Sequence, residues 1–223
     1  MPAIVLHQWV ISPFCGKVRR ILEHKKLAYE VVNYNGLRAR KAAGLSAAGK
    51  LPVLDYDGER VQDSSEIAAF LDTKHPQPPL YPSDPVLRAQ AHFWEDWADE
   101  ALYWFEVYFR FLVPEAREAS VALLADGRPS YERVLMNVAI KRMYRGKLTA
   151  QGLGRLPRER VEQNFRRHLD ELDTLLGAQR WLVGSERTIA DIAVASQLAE
   201  IIRTSHMAAD VERRTRVAAW LAR

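Results

Sequence analysis

A chain of 223 residues is long enough for one large domain or two modest ones, and 48% hydrophobic with 27% charged residues is a globular composition rather than a disordered one. The net charge of +4 is interleaved with acidic residues and too weak to indicate nucleic acid, though it suits a small anionic ligand. One cysteine excludes an intramolecular disulfide and a multi-cysteine metal site; no metal and no membrane partner are expected, and the absence of a leader or long apolar run predicts a soluble, cytoplasmic protein.

Residues 3–8 are a short, mostly apolar run that predicts a buried strand. Ser12 and Pro13 then start a helix, as an N-cap hydroxyl followed by proline at the first helical position. Val18, Ile21, Leu22 and Lys25 continue it at helical spacing, with Lys17, Arg19, Arg20 and Glu23 expected outward. Tyr29 to Val32 reads as a second strand, and Gly36 to Gly49 as a basic segment with one irregular helix. Leu51-Pro52-Val53-Leu54 and Glu59-Arg60-Val61 flank an Asp57-Gly58 turn, a hairpin signal. Ser64 opens a helix with Ile67, Phe70 and Leu71 on one face. The order β-α-β-α-β-β-α predicts a thioredoxin-like α/β domain over 1–75.

The prolines of residues 76–82 forbid helix or central strand, so 76–85 reads as a linker. Residues 86–223 are helical in pattern throughout and predict an all-α domain. Its helices are expected at 86–112, 117–125, 131–149, 158–176, from Thr188, and finally one from about Asp210.

Candidate chemistry gathers at Ser12-Pro13-Phe14-Cys15. A helix N-terminus presents unpaired N–H groups, which stabilise an anion such as a thiolate. Two sulfurs are needed for dithiol exchange, so one cysteine leaves Ser12 as a hydroxyl able to donate to an incoming thiolate. Ser12 also reads as a plain cap, and Cys15 as a small buried apolar residue. Leu51-Pro52-Val53, with a cis proline, would offer backbone groups to an extended peptide. Asp63-Ser64-Ser65-Glu66 reads either as a capping box or as an acid for a ligand ammonium beside donors for its carboxylate.

Ser12-x-x-Cys15 after the first strand, Leu51-Pro52-Val53-Leu54, Asp63-Ser64, and Gly184-x-x-x-Thr188-Ile189-Ala190-Asp191 in a helical second half together resemble the cytosolic-type glutathione transferases. Ser12 falls where the theta and zeta classes carry their activating serine, and Lys17-Val18-Arg19 is close to the zeta pattern. Leu102-Tyr103-Trp104 with Tyr108 and Arg110, and Gln151-Gly152-Leu153-Gly154-Arg155, are similar instead to the metaxin and failed-axon-connections branch. Asp63 is shorter than the family's usual Glu or Gln.

The resemblance implies glutathione as co-substrate, a hydrophobic electrophile as second substrate for conjugation, addition or glutathione-dependent isomerisation, a homodimer and a detoxifying transferase. It implies Ser12 as the catalytic residue, with Phe14, Lys50, Leu51, Pro52, Val53, Asp63 and Ser64 holding glutathione. Tyr103, Tyr108 and Arg110 are its candidates for the second-substrate wall. Two alternatives stand beside this reading. Cys15 is the nucleophile of a glutathione-dependent thiol transferase, or the chain is a non-enzymatic binding scaffold.

Overall fold

The computed structural model describes residues 2–223. Strands β1 (Ile4–Gln8), β2 (Glu30–Asn33), β3 (Val53–Tyr56) and β4 (Glu59–Gln62) form one sheet in the order β2-β1-β3-β4. β1 and β2 run parallel across helix α1 (Pro13–His24), and β3 and β4 form an antiparallel hairpin beside β1. Tyr56 pairs with Glu59, so the hairpin loop is the dipeptide Asp57-Gly58, with φ of 47° and 88°. Both residues are left-handed, as a type I′ turn requires. A 3-10 turn at Gly36–Arg38 and the short α2 (Ala39–Ala42) follow β2, and α3 (Ser64–Lys74) follows β4. This is the predicted thioredoxin-like arrangement.

The rest is helical. The long helix starts as α4 (Pro85–Asp96), passes through a π-helical stretch at Trp97–Leu102, resumes as α5 (Tyr103–Val107), and ends in a second π stretch at Tyr108–Leu112. Then come α6 (Pro114–Leu124), α7 (Ser130–Gln151), α8 (Arg158–Ala178) and α9 (Ile189–Thr204). The single last helix expected from Asp210 is two short ones, α10 (Ala208–Glu212) and α11 (Thr215–Leu221), with the charged Arg213 and Arg214 between them.

Helix α9 is the centre of the molecule. Twelve of its residues are buried, from Ile189 to Ile201, and the Thr188/Asp191 capping box closes its start. Asp191 accepts hydrogen bonds from Thr188 N at 3.0 Å, Leu182 N at 2.9 Å and the Trp220 indole at 2.8 Å. One carboxylate therefore caps a helix and ties the preceding loop and the last helix to it, which suits a buried charge that needs several donors.

Lys17 of α1 and Lys25 at its C-cap depart from a simple apolar face. Lys25 is buried at the helix end, where its ammonium binds Asp72 at 2.8 Å and the carbonyls of His75 and Pro78 at 2.6 and 2.9 Å, fixing the proline-rich segment. Lys17, expected outward, is only 1% exposed. The i, i+4 row Pro13–Lys17–Ile21 faces inward, and Lys17 finds carboxylates there instead of solvent.

Candidate functional site

Sheet topology brings the predicted residues to one edge. β3 runs against β1 and β4 runs against β3, so the end of β1, the start of β3 and the end of β4 coincide. His7 pairs with Val53 and Val53 with Gln62, the residue before Asp63. Ser12 follows β1 by one short loop, the cis Leu51–Pro52 bond precedes Val53, and Asp63 follows β4.

Ser12 is half-buried at the N-cap of α1, and its Oγ accepts a 3.3 Å hydrogen bond from the Cys15 N–H. A hydroxyl has one proton to donate besides its acceptor lone pairs, so capping leaves that proton available. Cap and thiolate donor are compatible roles for one side chain. Cys15 is fully buried, and burial pushes its thiol up to about 11, with Ser12 only partly offsetting this. At neutral pH it is a thiol without access to solvent.

Asp63 caps α3 by accepting from Ser65 N at 2.9 Å, and it does so at φ 72° and ψ 137°, a left-handed region that a residue with a Cβ enters at a cost of about 1–3 kcal/mol. Ser64 behind it is buried, while the Asp63 side chain is exposed at the edge. Val53 and Pro52 are buried in the floor, Leu51 is half-buried, and Lys50 is an exposed rim residue whose backbone N–H and C=O are both tied to Ser46 Oγ.

The second-substrate candidates separate. Phe14 packs on Tyr103 with ring centroids 5.0 Å apart, and Tyr144 on α7 is a close polar neighbour of Tyr103. These three rings extend from Phe14, two residues after Ser12. Tyr108 is 7% exposed, packs against Phe109, and has Arg158, Glu159 and Glu162 of α8 as its charged neighbours.

Arg110 is wholly buried, so it lines no open wall. It pairs with Glu106, lies 3.4 Å from Glu200, donates to Thr204 Oγ1 at 3.0 Å, and donates to the carbonyl of Ile11 at 2.9 Å. Arg203 likewise donates to Val10 O at 3.0 Å. The loop that presents Ser12 is thus held from below by two arginines of the helical part. Burial pushes Glu106 up to about 7 in spite of Arg110.

A second buried cluster was not foreseen. Lys17 Nζ binds Glu95 at 2.9 Å, Asp99 at 2.6 Å and Ser65 Oγ at 3.0 Å, and Tyr81 donates to Glu95 at 3.1 Å. It joins the first turns of α1 and α3 to the long helix. Burial raises the Asp99 carboxyl and Lys17 offsets only part of that, while burial disfavours the Lys17 ammonium but Asp99 and Glu95 outweigh it. Away from Ser12, between α4 and α8, lies an apolar groove of about 400 Å³ that includes Trp94, Trp97, Leu172 and the strongly exposed Phe93.

Comparison with known proteins bears on the family and the fold. The glutathione S-transferase N-terminal domain family matches residues 6–79, and the glutathione S-transferase C-terminal domain family matches 157–223, together more than half of the chain. A probable glutathione S-transferase of Oryza sativa subsp. japonica, GSTU6, is 33% identical over 120 residues, 50% of this chain and 51% of the relative. The chain spans about half the length of the curated relatives it matches in this way. In fold, it superposes on the β-etherase LigF of Sphingobium sp. with a TM-score of 0.69 at 22% identity, covering 99% and 93% of the two chains. A Methylobacterium radiotolerans glutathione S-transferase in complex with glutathione sulfonate gives a TM-score of 0.60 at 24% identity, covering 99% and 89%.

Proposed function

Because the chain belongs to the glutathione S-transferase superfamily, we propose that it is a glutathione transferase that adds the glutathione thiolate to a small hydrophobic electrophile. The observation that carries this reading is the convergence of Ser12, Val53 and Asp63–Ser64 at one sheet edge, where the N-termini of α1 and α3 meet. Ser12 donates its hydroxyl proton to the glutathione sulfur, and the α1 N-terminus adds its partial positive charge; both favour thiolate over thiol. The thiol proton passes to solvent, the sulfur forms the new bond to carbon, and the leaving group departs with its electron pair.

Phe14 and the Leu51-Pro52-Val53 segment hold the cysteinyl part, Asp63 binds the ammonium of the γ-glutamyl end, and Ser64 N–H and Lys50 serve carboxylates. Phe14, Tyr103 and Tyr144 form the apolar wall against which the electrophile rests. Residues 1–75 bind glutathione and 86–223 supply the second-substrate wall, about a linker at 76–85. The exposed Phe93 and the adjoining groove support a homodimer through α4 and α8. No helix among the described residues is long and apolar enough to cross a membrane. We place the protein in the cytoplasm, where glutathione is reduced, with detoxification of electrophiles as its role.

The test is glutathione-dependent conjugation of a chlorodinitrobenzene, together with the ultraviolet absorbance of bound thiolate. Ser12→Ala is expected to lose the thiolate band at neutral pH and about 10–100-fold in kcat/KM, the worth of one hydrogen bond to a charged group. Cys15→Ala is expected to retain turnover. Full turnover by Ser12→Ala would sink the mechanism.

A further inference from the structure

A pocket of about 330 Å³ opens between α1 and α9, lined by Arg19, Arg20, Glu23, Ala199, Glu200 and Arg203. Its charges do not balance. A Cβ on Gly16 would lie 3.5 Å from both Arg19 Nη2 and Arg20 Nη1, so two guanidinium groups lean back over the same spot on α1. Arg19 donates to the neutral amide oxygen of Gln8. Arg20 has no carboxylate within ion-pair distance among the described residues, and burial, then Arg19 and Arg187, hold it below its usual range against the opposing pull of Glu23 and Glu200. Arg187, just before α9, has a buried Nε without a partner.

The acids nearby do not supply what is missing. Glu200 is shared between Arg203 at 3.5 Å and the buried Arg110 at 3.4 Å, which leaves the exposed Glu23 as the remaining carboxylate of the lining. The lining sets three arginines against two carboxylates, and neither Arg19 nor Arg20 is in an ion pair; their forked donors fit planar or tetrahedral oxyanions. Like charges at this separation in a half-buried setting repel, and the arrangement becomes favourable once a dianion sits between them. A polar, open pocket of this size suits a compact hydrophilic ligand rather than an apolar one.

We propose that the α1–α9 pocket is a binding site for a phosphoryl dianion, the phosphate of a phosphomonoester, gripped by Arg19 and Arg20 on one wall and Arg203 on the other. The site shares no residue with the proposed glutathione contacts, although its Arg203 also holds the Val10 carbonyl and its other two guanidinium groups lean back over Gly16. It therefore stands independently of the transferase reading.

The experiment is calorimetric titration of the full chain with inorganic phosphate at constant ionic strength, repeated with sodium chloride and with succinate. Saturable phosphate binding is expected, with no heat from chloride and at least tenfold weaker binding of succinate. Arg20→Gln is expected to weaken phosphate at least tenfold. Glu23→Gln, which removes the competing carboxylate on the exposed rim, is expected to tighten it about threefold. Four results overturn the proposal: no saturable phosphate binding, a phosphate effect reproduced by chloride, an Arg20→Gln affinity within twofold of the parent, or unchanged or weaker binding by Glu23→Gln. Succinate binding as tightly as phosphate overturns the phosphoryl assignment. Because Glu23→Gln touches only an exposed side chain, its outcome is readable even where Arg20→Gln does not fold.

Discussion

Lys17 and Arg110 each sit almost free of solvent between two carboxylates, and each ties the helical part of the molecule to α1 or its leading loop. Around Lys17 the donors are used up: three acceptors surround one ammonium, and Tyr81 satisfies the outer oxygen of Glu95. Around Arg110, Glu106 Oε2, Glu200 Oε2 and Arg110 Nη2 remain without a hydrogen-bond partner. The first cluster is a closed joint. The second has spare protonation capacity, and it lies directly beneath the carbonyl of Ile11. Equal charge ratios thus give unequal behaviour, because satisfaction of each polar atom decides what a buried ion contributes.

The hardest break is Lys17→Met, which strands Glu95 and Asp99 together without a cation. It is expected to lower unfolding free energy by about 3–5 kcal/mol, measured by urea denaturation at pH 7. A loss below about 1 kcal/mol would mean that the joint is not closed.

Next is a pH effect confined to the Arg110 cluster. Glu106 binds its proton more tightly folded, at about 7, than at its ordinary 4.5, so its ionisation opposes folding. Its contribution is favourable below 4.5 relative to high pH and is lost as pH rises through 7, by on the order of 3 kcal/mol in all. Denaturation of parent and Glu106→Gln at pH 5 and pH 8 isolates it: the parent is expected to lose stability relative to the variant on going up. A difference that stays flat would equate the two clusters. The smallest effect is expected for Tyr81→Phe, about 1 kcal/mol, because it frees one oxygen of Glu95 while Lys17 still covers the other.

Much of the sheet and the Ser12 edge is legible in the sequence because short-range rules write it. Asp57-Gly58 specifies its own turn, Ser12-Pro13 its own helix start, and Thr188 to Asp191 its own cap. The buried ions are not legible in that way. Lys17 looks like an exposed charge, yet it occupies an inward row between Pro13 and Ile21. Glu95 continues a row from Ala91, and Glu106 and Arg110 continue one from Leu102. Charged residues in register with a helix's apolar positions were the available signal. Their partners, 78 and 82 positions away for Lys17, follow no local rule. Tyr144 was missed for the same reason, since α7 approaches Tyr103 only through the tertiary fold.

Helix α7 sets a practical boundary for anyone reshaping this chain. The family matches stop at residue 79 and resume at 157, which invites trimming of what lies between. Yet Glu132 at the start of α7 accepts from Leu37 N at 2.8 Å, Asp126 O accepts from Asn35 at 3.2 Å, and a Cβ on Gly36 would fall 2.1 Å from the Glu132 carboxylate. Further along, Tyr144 stacks on Phe111 with centroids 4.3 Å apart. A version pared to the shared segments would lose Phe111 and Tyr144 together, take Arg110 away from the carbonyl of Ile11, and leave the turn after β2 unclasped. The interposed hairpin is a keystone, and shuffling it between relatives requires carrying Asn35, Gly36 and Leu37 with it.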